Sequence, residues 1–127
     1  LGRPFAVELP VARGNHLGRT WGFPTVNQVF PADAAVPRHG VYASLVVIDG
    51  HMHYAVTNVG VHPTVGGAPH PQAETWIHDF DGDLYGQDIT VEFHAFLRPE
   101  KKFPSLEYLR LEILSNAEQT RQYFKES

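Results

Sequence analysis

The sequence predicts a mostly β protein, a small closed antiparallel barrel of about six strands with one C-terminal α-helix. Three observations carry this. Apolar residues recur at every second position over much of the chain, Asp-Gly pairs punctuate the strand-like runs, and only one stretch, near the C-terminal end, repeats at three to four residues. No helical pattern lies between the strands to make a crossover, so neighbours should be antiparallel. Closure into a barrel then removes the exposed edges that promote aggregation.

Taken in order, Phe5, Val7, Leu9 and Val11 alternate with Ala6, Glu8 and Pro10, which predicts a first strand with one buried face. Pro10 has no N–H to donate and implies an edge or a bulge. Tyr42 to Ile48 is a β-branched, apolar run that meets Asp49-Gly50 and continues as His51 to Val59, the strongest hairpin signal in the chain. Glu74 to Phe80 predicts another strand and Asp81-Gly82 another turn. Ile89, Val91, Phe93 and Ala95 line one side of an alternating strand that ends near Leu97. The count is five strands or six. The stretches Phe30 to Gly40 and His62 to Gln72 read as looser connections.

The helix begins near Ser105, a natural N-cap, and carries Leu106, Leu109, Ile113, Ala117, Thr120 and Phe124 on one stripe. Ser115-Asn116 leaves two forms open: one continuous helix, or a break with Asn116 recapping a second segment ahead of Gln119. The expected organisation is a single domain over 1–127, with the barrel at about 3–98 and the helical segment at about 105–125.

The 127 residues are enough for one hydrophobic core. A formal charge of −4 with scattered basic residues argues against a sequence-independent nucleic-acid surface, which needs a cationic face. The absence of cysteine excludes a disulfide scaffold and thiolate-metal sites. No apolar run approaches the roughly 20 residues that span a bilayer. The expectation is a soluble cytoplasmic protein with no membrane or nucleic-acid partner. Its only methionine is Met52, so a chain opening at Leu1 is expected to be cut from something longer.

The richest segment chemically is Gly18 to Asn27, Gly-Arg-Thr-Trp-Gly-Phe-Pro-Thr-Val-Asn. Gly14, Gly18 and Gly22 recur every four residues, leaving backbone amides free to approach an anion, and Arg19 adds fixed positive charge. Thr25 and Asn27 offer hard oxygens and would share one side of an extended segment. Mg²⁺ asks for that kind of donor, usually one or two protein ligands, with phosphates and water completing the shell. The competing reading is a glycine-rich connection that merely needs positive φ angles.

This segment resembles the glycine-rich loop and Pro-Thr-Ala-Asn signature of the riboflavin kinases, spelled here Pro24-Thr25-Val26-Asn27. Further pieces match in the same order: Gly2-Arg3-Pro4-Phe5, Gly40-Val41-Tyr42, Asn58-Val59-Gly60 with Pro63-Thr64, Glu74-Thr75, Asp79-Phe80, Leu84-Tyr85-Gly86, and Leu97-Arg98-Pro99-Glu100 followed by Phe103. The ordered set covers nearly the whole chain, which a lone glycine motif would not. The resemblance implies a Greek-key barrel with a C-terminal helix, and an enzyme that moves the γ-phosphoryl group of ATP to the riboflavin 5′-hydroxyl to give FMN. Its substrates would be riboflavin and ATP, with Mg²⁺ or another divalent cation. In many bacterial relatives this unit follows an FAD synthetase (adenylyltransferase) domain, and Gly2-Arg3-Pro4-Phe5 resembles the junction.

By position in these motifs, Glu74 is implied as the general base and Arg98 as a catalytic helper. The nucleotide would be held by Gly14, Gly18, Arg19, Gly22, Phe23, Pro24, Thr25, Asn27, Leu84 and Tyr85, and the metal by Thr25 and Asn27. The flavin would meet Asn58, Thr64, Phe103, Leu106 and Leu109, with Pro63-Thr64 in a flap closing over substrate. Each has a plainer alternative: a solvated strand-end carboxylate for Glu74, an ion pair with Glu100 or Glu92 for Arg98, an ordinary turn for Leu84 and Tyr85, and helix packing for Leu109. A histidine metal site at His51 and His53, or at His62, His70 and His78, lacks zinc-like spacing with carboxylate support. Departures from the family pattern are His16 in the loop, Leu9-Pro10, Trp76 and Asn116. Two rival classes share the fold: a non-catalytic flavin or nucleotide-binding barrel, and an oligonucleotide-binding barrel using Trp21 and Trp76.

Overall fold

In the computed structural model the described residues are 5–12, 25–62, 70–78, 80 and 84–126. They form six antiparallel strands and one helix: β1 (Phe5–Pro10), β2 (Val26–Val29), β3 (Gly40–Ile48), β4 (His51–His62), β5 (His70–Ile77), β6 (Asp88–Arg98) and α1 (Leu106–Glu126). The sheet order is β1-β6-β3-β4-β5-β2. Three successive strands form a meander, β3-β4-β5, and β6 returns to lie beside β3, which is the Greek-key pattern.

The sheet curls into a half-barrel whose two edge strands, β1 and β2, meet at a bridge between Ala12 and Asn27. Its concave side holds the main core, with Phe30, Val46, Val59, Ala73, Val91 and Phe93 at its centre. As the alternation requires, Val7, Leu9 and Val11 face this core. Pro10 ends the edge strand β1, where a missing N–H is harmless. The β3–β4 hairpin turns at Asp49 and Gly50, both with positive φ (51° and 80°), as a type I′ turn demands. Inside the core three hydroxyls cross three strands, Ser44 to Thr57 at 2.8 Å and Thr57 to Thr75 at 2.9 Å, all fully buried.

Helix α1 packs on the convex side, where Val41, Val56, Ile113 and Ala117 form a second core with Trp76, Leu97 and Leu109 against it. Ser105 caps it: its Oγ accepts the Tyr108 N–H at 3.4 Å and its carbonyl accepts that of Leu109. Of the two forms left open by Ser115-Asn116, the continuous helix is the observed one. Asn116 is 1% exposed in mid-helix, facing the sheet.

Two expectations need correction. The fifth strand spans His70–Ile77, not Glu74 to Phe80, which puts Glu74 inside the strand and not at its start. The inward alternation of β6 also fails at Ala95. Ser44 pairs with Phe93 and Ala43 with Ala95, then Tyr42 with Phe96 and Val41 with Arg98, so His94 and Leu97 are extra residues on β6. Each bulge shifts the phase of the side chains. Phe96, not Ala95, turns to the main core, and Arg98 lands on the helix side.

Candidate active site

Ladder register assembles the site. Asn27 on β2 pairs with Glu74 on β5, and Asn58 on β4 pairs with the same Glu74 from the other side. Directly paired residues point to one face with Cβ atoms about 5 Å apart, so the three side chains stand in a single cross-strand row. The face is the convex one, because the intervening Ala73 and Thr75 belong to the barrel interior.

Glu74 is 3% exposed. Burial pushes its carboxyl up to about 7, because an apolar setting penalises the charged form. Such a group exchanges a proton at neutral pH, which a solvated strand-end carboxylate does not. Beside it, the Asn58 Oδ1 is buried with no hydrogen-bond partner among the described residues. Asn27 is also buried, and its backbone carbonyl accepts the Ala12 N–H at 2.7 Å. Thr25 stands just ahead of β2, two residues from Asn27 and half-buried. A threonine hydroxyl and an asparagine amide oxygen are hard, neutral donors, a set that fits a hard divalent cation with phosphate completing the shell. No His, Asp, Glu or Cys cluster of metal-binding size forms among the described residues.

Arg98 lies in the same row, reached from Asn58 through Val41. Its backbone is three strands from Glu74, about 14 Å at ordinary strand spacing. The guanidinium is held by the helix. Its Nε donates to Asn116 Oδ1 at 3.2 Å and lies 3.3 Å from Glu112 Oε2, and Lys101 reaches the other Glu112 oxygen at 3.3 Å. Glu112, not Glu100 or Glu92, is therefore the salt-bridge partner; Glu92 meets His94. Desolvation lowers the Arg98 pKa from its usual value, and Glu112 and then Glu100 oppose that shift. Sequence spacing could not reveal Glu112, because the pair joins two elements.

Phe103 is half-buried below Arg98 and Lys101, each 5.4 Å from its ring centre, and borders a groove of about 410 Å³ with Lys102, Pro104 and Tyr108. Leu109 packs into the helix–sheet core. Leu106 opens the helix, and its side chain lies outside the described set. Leu84 is buried in the main core and Tyr85 is exposed. Gly14, Gly18, Arg19, Gly22, Phe23, Pro24 and Thr64 lie outside the described residues.

The family model for flavokinase, described as riboflavin kinase, matches residues 1–124. The chain belongs to the riboflavin kinase family. It is 45% identical over 113 residues to a bifunctional riboflavin kinase/FMN adenylyltransferase of Pseudomonas fluorescens, covering 89% of this chain and 36% of that protein. It is 39% identical over 105 residues to the RNA-binding riboflavin kinase RibR of Bacillus subtilis, covering 81% and 44%. A crystal structure described as a macrolide-efflux protein from Streptococcus pneumoniae shares the fold, with a TM-score of 0.80 and 33% identity, over 93% of this chain and 38% of that one. The chain thus spans less than half the length of these relatives. Family and relatives' names point to riboflavin kinase activity, and the family generally uses ATP and a divalent cation. Among the described residues no helix is long and apolar enough to cross a membrane.

Proposed function

We propose that this chain phosphorylates the 5′-hydroxyl of riboflavin with ATP, giving FMN and ADP, with Glu74 as general base. The observation that carries the reading is the row Asn27–Glu74–Asn58, a carboxyl buried enough to sit near 7 between two amides. An alcohol is a poor nucleophile until its proton has somewhere to go. As the bond from the 5′-oxygen to the γ-phosphorus forms and the bond from that phosphorus to the β–γ bridging oxygen breaks, the proton passes to Glu74 and ADP departs. Asn58, whose Oδ1 has no partner among the described residues, orients the polyol end of the flavin.

Thr25 and Asn27 would hold a divalent cation, Mg²⁺ in this reading, which when bound neutralises charge on the triphosphate. The glycine loop from Gly14 with Arg19 completes the nucleotide site with Tyr85 beside the adenine, Leu84 being taken up by the main core, and Phe103, Leu106 and Thr64 form the flavin wall with Leu109 packed behind it. Arg98 enters as the tie between β6 and the middle of the helix, through Glu112 and Asn116, acting on the phosphate only through its charge. The kinase unit is the single domain 1–127, working in the cytoplasm. The FMN adenylyltransferase activity in the relatives' names belongs, on this reading, to a longer protein containing the chain and not to these residues. RNA binding is said of RibR; a formal charge of −4 gives it no support here.

Incubating the chain with riboflavin, ATP and Mg²⁺ and separating the products by chromatography tests the proposal. FMN and ADP in equal amounts are expected. Flavin binding without turnover would leave the non-catalytic barrel as the answer.

A further inference from the structure

A glutamine sealed inside a β-core is costly unless its amide is used, and Gln28 is 0% exposed. Its Nε2 spends both protons on backbone carbonyls, that of Leu9 at 2.8 Å and that of Ile89 at 2.9 Å. Leu9 and Ile89 are directly paired on the β1–β6 ladder. One side chain from β2 therefore clasps the two strands at the opposite edge of the sheet. The Oε1 is buried with no partner among the described residues, so the clasp is kept despite an unsatisfied acceptor. A leucine would fill the space without that cost, but it would give up both hydrogen bonds that tie β2 to the far edge.

The residue held by this clasp is Asn27. It is Gln28's neighbour on a four-residue strand and faces the convex side, opposite to Gln28. Its backbone oxygen is tied to the Ala12 N–H and its side chain stands in the row with Glu74. Besides its pairing with β5, that bridge and the Gln28 amide join β2 to the sheet among the described residues.

We infer that Gln28 is a positioning residue for Asn27, fixing the edge strand so that the Asn27 amide oxygen stands at the right depth beside Glu74 for a cation on the triphosphate. The inference rests on the reading of Asn27 as a cation ligand.

The test uses the intact chain and calorimetry with ADP, with and without Mg²⁺, so that it does not depend on turnover. The ratio of the two affinities measures the help given by the metal. Gln28→Met, similar in length but without donors, is expected to cut that ratio roughly tenfold, while riboflavin affinity changes less than about twofold. Gln28→His, which keeps one N–H, is expected to lose less, and it carries the test should the Met variant fail to fold. In an Asn27→Ala background neither substitution should lower the ratio further, since the clasp acts through Asn27. A wild-type ratio in both variants, or an equal drop without Asn27, overturns the inference. If Asn27→Ala alone leaves the ratio intact, the ligand reading fails and takes this inference with it. FMN formation, followed in parallel, shows separately whether the kinase assignment stands.

Discussion

Asn58 faces Glu74 squarely across the β4–β5 ladder, and its side-chain oxygen has no donor among the described residues. Below about pH 7 the Glu74 carboxyl still carries a proton; above it, the carboxylate can only accept, in the same row as the unpartnered Asn58 oxygen. On the proposed function a substrate hydroxyl would bring a proton to that pair, which would favour an alcohol in the site at the pH where the carboxylate can act as a base.

Glu74→Gln should therefore abolish most turnover without disturbing assembly. We expect kcat to fall by ~10²–10⁴-fold while riboflavin and MgADP still bind. In the wild type kcat/KM should climb with pH through about 7 and level off above it. Steady-state kinetics beside ligand titrations check both, and unchanged turnover removes Glu74 from the mechanism.

The same carboxyl predicts how stability responds to pH. Its folded pKa of about 7 lies above its ordinary value of 4.5. Between those values the unfolded chain has released a proton that the folded chain keeps, so stability falls as pH rises through this window. The loss is complete above the folded pKa, at most about 3 kcal/mol. Urea unfolding at pH 5 and pH 8 should show the decline in the wild type and a smaller one in Glu74→Gln, which should be the more stable protein at pH 8.

Thr25→Ala removes a hard oxygen two residues from Asn27 and should raise the Mg²⁺ concentration needed for half-maximal activity by about tenfold, a change worth ~1.4 kcal/mol. Riboflavin affinity should hold. A magnesium titration at saturating substrates decides, and an unshifted midpoint strikes Thr25 from the ligand set.

Two glycines should respond very unequally to a methyl group. At Gly40, φ is 149° and a Cβ would lie 2.7 Å from the Arg98 carbonyl oxygen and against the Phe96 ring, so Gly40→Ala should cost on the order of 3 kcal/mol. At Gly60 the nearest obstacle is the carboxylate of Glu100, the end of an exposed side chain that can swing away. Gly60→Ala should stay within about 0.5 kcal/mol. Thermal unfolding of the two variants makes the comparison.

What could be read from the chain was local. Alternation and an Asp-Gly turn found the β3–β4 hairpin, Ser105 marked the helix start, and ordered motifs picked out Glu74, Asn27 and Asn58 before any register placed them in one row. What escaped depends on two elements meeting. The extra residues His94 and Leu97 look like ordinary strand residues, and only their partners on β3 show that Phe96 replaces Ala95 in the core. Asn116 reads as a helix breaker until Arg98 is seen to supply its hydrogen bond from β6. Gln28 carries no local signal at all, since its two acceptors lie 19 and 61 residues away.

The hydroxyls of Ser44, Thr57 and Thr75 are joined by two hydrogen bonds, yet they own three protons. One proton is always surplus to those two bonds. The middle of the molecule is thus electrically lopsided, with a small dipole whose direction depends on which hydroxyl is left holding the spare hydrogen. Valine in place of Thr57 would do more than delete a contact: it would take away the choice of direction, whereas valine in place of Thr75 would leave the Ser44–Thr57 bond free to run either way.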